Sequence, residues 1–210
     1  MTGKEKISVI LRRLKKEYPK PKTALSFNNP FQLLAATILS AQATDLLVNK
    51  VTGSLFKNYK TTKDYADAPL EKLQQDIRSI NFYKTKAKNI KACAEQIMEK
   101  FGGNVPDTMD ELITLPGVAR KTANIVLSNA FGINEGIAVD THVKRLSKLL
   151  GLTKNTDPVK IERDLMALTP QKEWGTISHL LILHGRAVCQ AKKPRHNECV
   201  LKDICPSRDI

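Results

Sequence analysis

The chain has 210 residues, 41% of them hydrophobic, so it is long enough and apolar enough to fold around a substantial core. Its 34 Lys and Arg against 21 Asp and Glu give a formal net charge of +13, which favours a polyanionic partner such as nucleic acid. The apolar runs are too short to span a membrane, and the N-terminus MTGKEKISVI has charges where a signal peptide needs apolar residues. These features argue against a disordered, membrane or secreted protein, and we expect a cytoplasmic or nucleoid location. The charge alone also fits a merely soluble basic protein.

Apolar residues recur with a period close to 3.6 along nearly the whole chain, beginning with the series Ile7, Ile10, Leu11 and Leu14. No stretch alternates as a half-buried strand would, so the sequence predicts an all-α fold of roughly ten helices. Cap residues mark the helix boundaries. Starts are predicted at Asn29-Pro30, at Thr44 or Asp45 and at Asp157-Pro158, and ends at Gly102-Gly103, Gly132 and Gly151.

Three lysines follow Phe82 at alternate positions, two of them within SINFYKTKA and the third directly after it. Lys84, Lys86 and Lys88 are candidates for contacts with backbone phosphates, and a solvated helix face is an equal alternative. Further along the same helix, Cys93 falls in an apolar series at helical spacing. It is predicted to pack as a small hydrophobic residue.

The stretch 108–131, TMDELITLPGVARKTANIVLSNAF, predicts a short helix, a tight turn at LPGV and a second helix. Gly117 permits close backbone approach, and the N–H groups at the start of the second helix suit an anion such as a DNA phosphate. This is a helix-hairpin-helix pattern. Similar Pro-Gly turns join helices in proteins that never bind DNA, so the pattern by itself is only moderately specific.

Lys121 falls in the first turn of that second helix, and AVDTHVKRL places Asp140 at the start of a later one. A lysine amine is nucleophilic only when neutral. The helix N-terminus, the neighbouring Arg120 and partial burial would all disfavour its charged form. A carboxylate such as Asp140 can accept a proton and stabilise positive charge on a sugar. Taken singly, a solvated lysine and a helix N-cap are the simpler interpretations.

Cysteines are concentrated at the end of the chain, where Cys189, Cys199 and Cys205 lie within the last 22 residues. This distribution is unlike the disulfide framework of a secreted domain. Ligation of a metal ion or cluster is the better interpretation.

These motifs together resemble the endonuclease III family of helix-hairpin-helix DNA glycosylases, through LPGVARKTANIVL, AVDTH and the earlier LLAATILSAQATD of residues 33–45. The resemblance implies an all-α, two-lobed fold. One lobe is a six-helix domain at 23–133, and the other combines 1–22 with 134–210. It further implies a monomer that binds duplex DNA with damaged bases or abasic sites across the cleft between the lobes.

The resemblance also implies the chemistry. Lys121 matches the family's Schiff-base lysine, and Asp140 matches its catalytic aspartate. A damaged pyrimidine such as thymine glycol would be flipped out of the duplex and excised, and β-elimination would then cut the strand. Gln42 resembles the family residue that enters the gap left in the duplex by the flipped base, and helix capping is the alternative role. Phe82 resembles an apolar wedge, with core packing as the alternative. Predicted DNA contacts are Gln42, Phe82, Gly117, Val118, Ala119, Arg120, Lys192, Lys193 and Arg195, and Ala119 replaces a glycine usual in the family hairpin.

The C-terminal run CQAKKPRHNECVLKDIC resembles the family's four-cysteine iron–sulfur loop, with one ligand changed. Counting from Cys189, the second ligand position falls on His196, followed by Cys199 and Cys205. Imidazole can replace thiolate on cluster iron, and three cysteines with one histidine also suit zinc. We expect a [4Fe–4S] cluster, with zinc or no metal as alternatives.

Two other functions remain open from the sequence. A monofunctional mismatch glycosylase uses an activated water and lacks the nucleophilic lysine, so Lys121 argues against it. A non-catalytic helix-hairpin-helix DNA-binding protein would not need Lys121 together with Asp140. The sequence therefore favours a bifunctional DNA glycosylase and lyase.

Overall fold

A computed structural model describes residues 1–208 of the chain as an all-helical protein. No β-strand occurs among these residues, which confirms the all-α prediction. Within the same residues, none of the helices has the length and hydropathy needed to cross a lipid bilayer. The α-helices are α1 (Gly3–Glu17), α2 (Pro30–Ser40), α3 (Asp45–Asn58), α4 (Thr62–Asp67), α5 (Leu70–Asp76), α6 (Tyr83–Phe101), α7 (Met109–Leu112), α8 (Arg120–Val126), α9 (Thr141–Leu149), α10 (Pro158–Leu168) and α11 (Trp174–Ala187).

The chain divides into two compact units, each with its own hydrophobic core. We call residues 23–133 the middle unit, and residues 1–22 with 134–210 the terminal unit. The middle unit is built around α2, in which nine of eleven residues are buried. Because α2 is apolar on almost every side, the other helices of this unit can pack around it. Tyr65 of α4 is fully buried there, with its ring 4.9 Å from Phe31 and 5.0 Å from Tyr59.

The terminal unit joins the N-terminal helix to the last third of the chain. The apolar stripe of α1 is buried, as its spacing predicts, and packs with residues of α9, α10 and α11. At the other edge of α1, Lys6 donates to the backbone carbonyl of Leu150, 2.8 Å away. The first helix is therefore held by both apolar packing and a polar contact within its own unit.

Local signals set the helix boundaries. The side chains of Asn29 and Asp157 cap the N-termini of α2 and α10, each with proline at the first helical position, as predicted. Thr44, and not Asp45, caps α3. A π-helical turn at Leu127–Phe131 continues α8 and ends at Gly132, whose φ of 70° is left-handed. Cys93 is fully buried in α6, which confirms its packing role.

Candidate functional site

The turn between α7 and α8 has the geometry of a tight hairpin. Leu115 and Val118 are buried, and the Val118 N–H donates to the Leu115 carbonyl at 3.1 Å. Gly117 lies between them with a φ of 78°, a conformation that favours glycine. A Cβ atom at this position would lie only 2.9 Å from Nδ2 of Asn89. Backbone conformation and space therefore both require glycine here.

Helix α8 begins directly after this turn. Its N-cap residue, Ala119, has a methyl side chain and cannot accept a hydrogen bond from the first helical turn. That leaves the start of α8 with the arrangement that suits an external anion. Ala119 is exposed and extended (φ −93°, ψ 166°), a conformation open to any residue. The backbone thus accepts alanine where the family hairpin usually has a second glycine.

Lys121 is the second residue of α8, and its side chain is exposed. The sequence-based expectation of a partly buried amine is therefore wrong. Arg120 directly precedes Lys121 at the first position of the helix. Exposure also leaves the amine open to a large substrate.

Asp140 is the N-cap of α9 in the terminal unit. Its Oδ1 accepts a hydrogen bond from the backbone N–H of Val143 at 2.8 Å. Asp140 therefore does cap the helix, as the simpler interpretation of the sequence holds. The half-exposed carboxylate also interacts electrostatically with His179 of α11. Burial lowers the pKa of His179, and the charge of Asp140 opposes that shift. Because a carboxylate has two oxygens, capping through Oδ1 is compatible with proton transfer at Oδ2.

Gln42 and Phe82 lie on two loops of the middle unit that the structure brings together. Asn81 Nδ2 donates to the Gln42 carbonyl at 3.1 Å. Phe82 is 63% exposed, so the alternative of core packing is wrong. Gln42 does not cap α3, because Thr44 does. Both alternatives to a DNA-contacting role are thus removed, while that role itself stays a prediction.

The C-terminal cysteines surround a cavity of about 350 Å³ in the terminal unit. Cys189 follows the end of α11, and the segment after it turns back so that the remaining candidate ligands line the same space. The half-buried His196 is one of them, and its Nδ1 contacts the carbonyl of Arg208. The structure therefore brings together the four predicted ligands Cys189, His196, Cys199 and Cys205.

The donor set fits a cluster better than a single ion. Among residues 1–208, no three His, Cys, Asp or Glu side chains converge closely enough to hold one metal ion. Zinc needs its donors within about 2.0–2.3 Å of a single point. A [4Fe–4S] cluster instead binds each ligand at a different iron, so ligands spread around a cavity suit it. Burial raises the pKa values of the Cys189 and Cys199 thiols, and bound iron would reverse that by stabilising the thiolates.

His184 of α11 also lines this cavity. It is 2% exposed, and burial lowers its pKa to about 4, so the ring is neutral. Its Nε2 lies 3.4 Å from Cys199 Sγ and its Nδ1 lies 3.4 Å from Tyr18 Oη. A neutral ring can donate to the sulfur through Nε2 and accept from Tyr18 through Nδ1. His184 therefore orients one predicted ligand, a contact that apolar helical spacing could not reveal.

Residues 189–205, which we call the cysteine loop, carry the predicted basic residues at the surface. Lys192, Lys193 and Arg195 are all exposed. Arg195 forms an ion pair with Glu198 at 2.9 Å and also donates to the carbonyl of Ala187. The two lysines are thus the more open of the three for an external anion.

An all-α chain with this hairpin and this cysteine loop has the features of a helix-hairpin-helix DNA glycosylase. The profile described as HhH-GPD superfamily base excision DNA repair protein matches residues 35–171. The chain is 54% identical to endonuclease III of Synechocystis sp., with 97% of this chain and 93% of that protein covered. It is 48% identical to endonuclease III of Bacillus subtilis, with coverage of 98% and 94%.

A solved structure of a trapped endonuclease III–DNA covalent intermediate superposes with a TM-score of 0.93 at 45% identity, covering 99% of this chain and 98% of that one. The chain belongs to the endonuclease III family. Endonuclease III is a DNA glycosylase with apurinic/apyrimidinic lyase activity in base excision repair, and this chain is an enzyme of that kind. The family generally binds a [4Fe–4S] cluster.

Proposed function

We propose that this chain excises oxidised pyrimidines such as thymine glycol from duplex DNA and cleaves the strand through Lys121. The proposal rests chiefly on Lys121, an exposed amine placed directly after a hairpin that suits a DNA phosphate. Similarity to an endonuclease III trapped covalently on DNA supports the same chemistry. The partner is double-stranded DNA with damaged bases or abasic sites.

Lys121 acts as the nucleophile. In its neutral form Nζ attacks C1′ of the damaged nucleotide, and the bond from C1′ to the base breaks with its electron pair leaving on the base. Loss of a proton from the nitrogen and opening of the sugar give an imine between Lys121 and C1′. Removal of a C2′ proton then expels the 3′ phosphate as the C3′–O bond breaks. Base release and strand cleavage thus share one covalent intermediate.

Asp140 supplies the carboxylate for these proton transfers. Its charge stabilises the cationic sugar that forms as the base leaves, and its second oxygen can accept a proton. Its hydrogen bond to Val143 fixes the side chain in one orientation, which lowers the entropic cost of using it. We assign it the general acid–base role.

The proposed DNA contacts fall into two kinds. Gly117, Val118, Ala119 and Arg120 form the hairpin that receives a backbone phosphate, and Lys192, Lys193 and Arg195 add charge from the cysteine loop. Gln42 enters the gap left by the flipped base, and Phe82 wedges against the opposite strand. Phosphate contacts of this kind position the enzyme without reading sequence, which suits a search for damage anywhere in the genome. We propose a cytoplasmic location at the nucleoid, where the DNA lies, and a monomer, as the family resemblance implies.

We further propose that Cys189, His196, Cys199 and Cys205 hold a [4Fe–4S] cluster. Once bound, the cluster supplies a rigid cross-link and local charge and takes no part in base removal. Through the cluster, Cys189 would tie the end of α11 to the segment that contains Cys199 and Cys205, and this link would hold Lys192 and Lys193 in place between the ligands. The neutral imidazole of His196 would leave the site one unit less negative than four thiolates.

The Lys121→Gln variant tests the enzyme assignment. We expect no strand cleavage and no borohydride-trapped adduct on thymine-glycol DNA, because the amide cannot form an imine. Duplex binding should remain within about threefold, since one side chain is a small part of a distributed phosphate interface. Base release without an adduct in the parent would point to a monofunctional glycosylase, and neither product would point to a DNA-binding protein. An adduct of undiminished yield in the variant would remove Lys121 from the nucleophile role.

A further inference from the structure

Two residues of the chain adopt a backbone conformation that side chains other than glycine rarely take. Among residues 1–208, Gln42 (φ 55°) and Phe82 (φ 58°) are the non-glycine residues with positive φ. A left-handed conformation is unfavourable for L-residues and persists only where the surroundings hold it. Both residues belong to the set proposed to enter the DNA. The strain is therefore concentrated where the chain would meet its substrate.

The two loops are connected to each other through polar contacts. Asn81 precedes Phe82 and donates through its side chain to the Gln42 carbonyl, at 3.1 Å. Phe82 is the N-cap of α6 and Gln42 directly follows the C-cap of α2. The two strained positions are thus held at the facing ends of two helices.

Lys86 is a buried residue of α6 that lies close to both positions in the chain's fold. It is only 6% exposed, and its Nζ donates to the carbonyls of Leu39 at 2.8 Å and Ala41 at 2.5 Å. Its backbone N–H donates to the carbonyl of Phe82 at 3.0 Å. The carbonyls at the end of a helix have no partner within the helix and attract a cation through the helix dipole. The backbone bond is the ordinary first-turn contact of α6, whereas the side-chain contacts reach the end of α2. The side chain of Lys86 therefore joins the segment just before Gln42 to the first turn of α6, which begins directly after Phe82.

We propose that Lys86 is a positioning residue, which locks the loops of Gln42 and Phe82 in the conformation needed to enter the duplex. This inference rests on the proposed function, because it assumes that Gln42 and Phe82 are inserted into DNA. The two loops would otherwise have to be ordered during base flipping, and fixing them beforehand removes that cost. A lysine suits this role because its ammonium group has three N–H donors and a positive charge, both of which favour contact with the carbonyls of Leu39 and Ala41.

The test compares Lys86→Met with Lys91→Met. Lys91 is on the same helix and also donates to a backbone carbonyl, that of Ala66, besides an ion pair with Glu95 at 3.1 Å. Its variant therefore loses the same charge and at least as many contacts, all away from both loops. Insertion is measured with 2-aminopurine placed opposite an abasic-site analogue in a duplex, where fluorescence rises as the base loses its stacking. Single-turnover excision of thymine glycol gives the rate.

We expect Lys86→Met to lose most of the fluorescence change and to excise thymine glycol from duplex DNA roughly tenfold more slowly or worse, because small misplacements at a reacting centre are costly. Lys91→Met should behave like the parent in both measurements. Borohydride trapping on an abasic single strand, which offers no partner strand to enter, should be retained by both variants.

Asn81→Ala provides a second variant, because Asn81 is exposed and its loss removes only the contact to Gln42. It should shift both measurements in the same direction by a smaller amount, and it carries the test if Lys86→Met does not fold. Parent-like fluorescence and rate in whichever of these variants fold would overturn the positioning role and leave Lys86 as a simple helix cap. Failure of the parent to form an adduct on the abasic strand would instead contradict the proposed function.

Discussion

Asp140 combines a structural and a proposed chemical role in one side chain. As the N-cap of α9 it satisfies a backbone N–H, and as a half-exposed carboxylate it can take up a proton. The two roles have different requirements. Capping needs an oxygen that accepts a hydrogen bond, whereas proton transfer needs an ionisable group.

The Asp140→Asn variant separates these roles. Asparagine caps a helix about as well as aspartate, so the free energy of unfolding should change by no more than about 0.5 kcal/mol. Turnover on thymine-glycol DNA should fall by about 10²–10⁴-fold, because the amide cannot accept a proton. Thermal unfolding and single-turnover kinetics measure the two quantities.

Asp157→Asn is the matched control for this prediction. Asp157 caps α10 in the same unit through the same kind of contact, a 2.9 Å hydrogen bond from the Lys160 N–H. Its variant should keep both stability and turnover. Normal turnover in Asp140→Asn would remove Asp140 from the active site.

Individual residues also show where sequence-based prediction stops. Lys84, Lys86 and Lys88 look equivalent in the sequence, yet the structure buries Lys86 and leaves the other two exposed. Alternate positions do not share a helix face, so a difference could be anticipated. The burial of Lys86 in particular could not be anticipated, because the carbonyls that accept its hydrogen bonds lie more than forty residues earlier in the chain, at the end of α2. The burial of Lys121 was mispredicted for the same reason, since exposure depends on neighbours that a local pattern does not specify.

At the scale of elements, the signals that succeed are those that act within a few residues. Asn29-Pro30 and Asp157-Pro158 locate helix starts because capping involves the backbone two or three residues away. The π-helical turn Leu127–Phe131 has no such signal. It interrupts an apolar helix without proline or glycine inside it, and its geometry depends on packing in the middle unit.

The cysteine loop is the element that the proposed cluster would hold in place, and His196 is the ligand candidate that differs from the family pattern. If His196 is a ligand, His196→Cys should raise iron and sulfide retained per chain, whereas His196→Ala should lower both and weaken DNA binding and thermal stability. Protein purified without oxygen should show the visible absorption of an iron–sulfur cluster. Iron and sulfide analysis together with thermal unfolding measures these outcomes.

Asn197→Ala is the control. Asn197 is the neighbour of His196 and accepts a hydrogen bond from Lys202, so its variant loses that contact but removes no ligand suited to iron. Its iron content should equal that of the parent. About one zinc per chain without colour would replace the cluster by a zinc site with three cysteines and one histidine. Negligible metal, with His196→Ala unfolding at the parent's temperature, would show that packing alone holds the loop.

At the scale of the whole molecule, the positive charge is unevenly divided along the chain. The terminal unit has 21 basic and 11 acidic residues, a net charge of +10 out of the total of +13. The middle unit contributes the hairpin and Lys121 but little net charge. Attraction to DNA should therefore depend mainly on the terminal unit, while the proposed nucleophile Lys121 lies in the middle one. The total charge was evident from composition, but assigning it to a unit required the structure's division of the chain.

The salt dependence of DNA binding tests this division. Each phosphate that a protein neutralises makes the slope of log Kobs against log salt more negative by about 0.9, through the release of condensed counterions. Lys192 and Lys193 are exposed in the cysteine loop, so the double variant Lys192→Ala/Lys193→Ala should make the slope less negative by about 1.8. Lys100→Ala, which removes an exposed lysine from the last turn of α6 in the middle unit, should leave the slope unchanged. Fluorescence anisotropy with an abasic duplex at several salt concentrations measures both. Equal slopes for the parent and the double variant would show that these lysines point away from the bound phosphates and that the charge of the terminal unit attracts DNA only at long range.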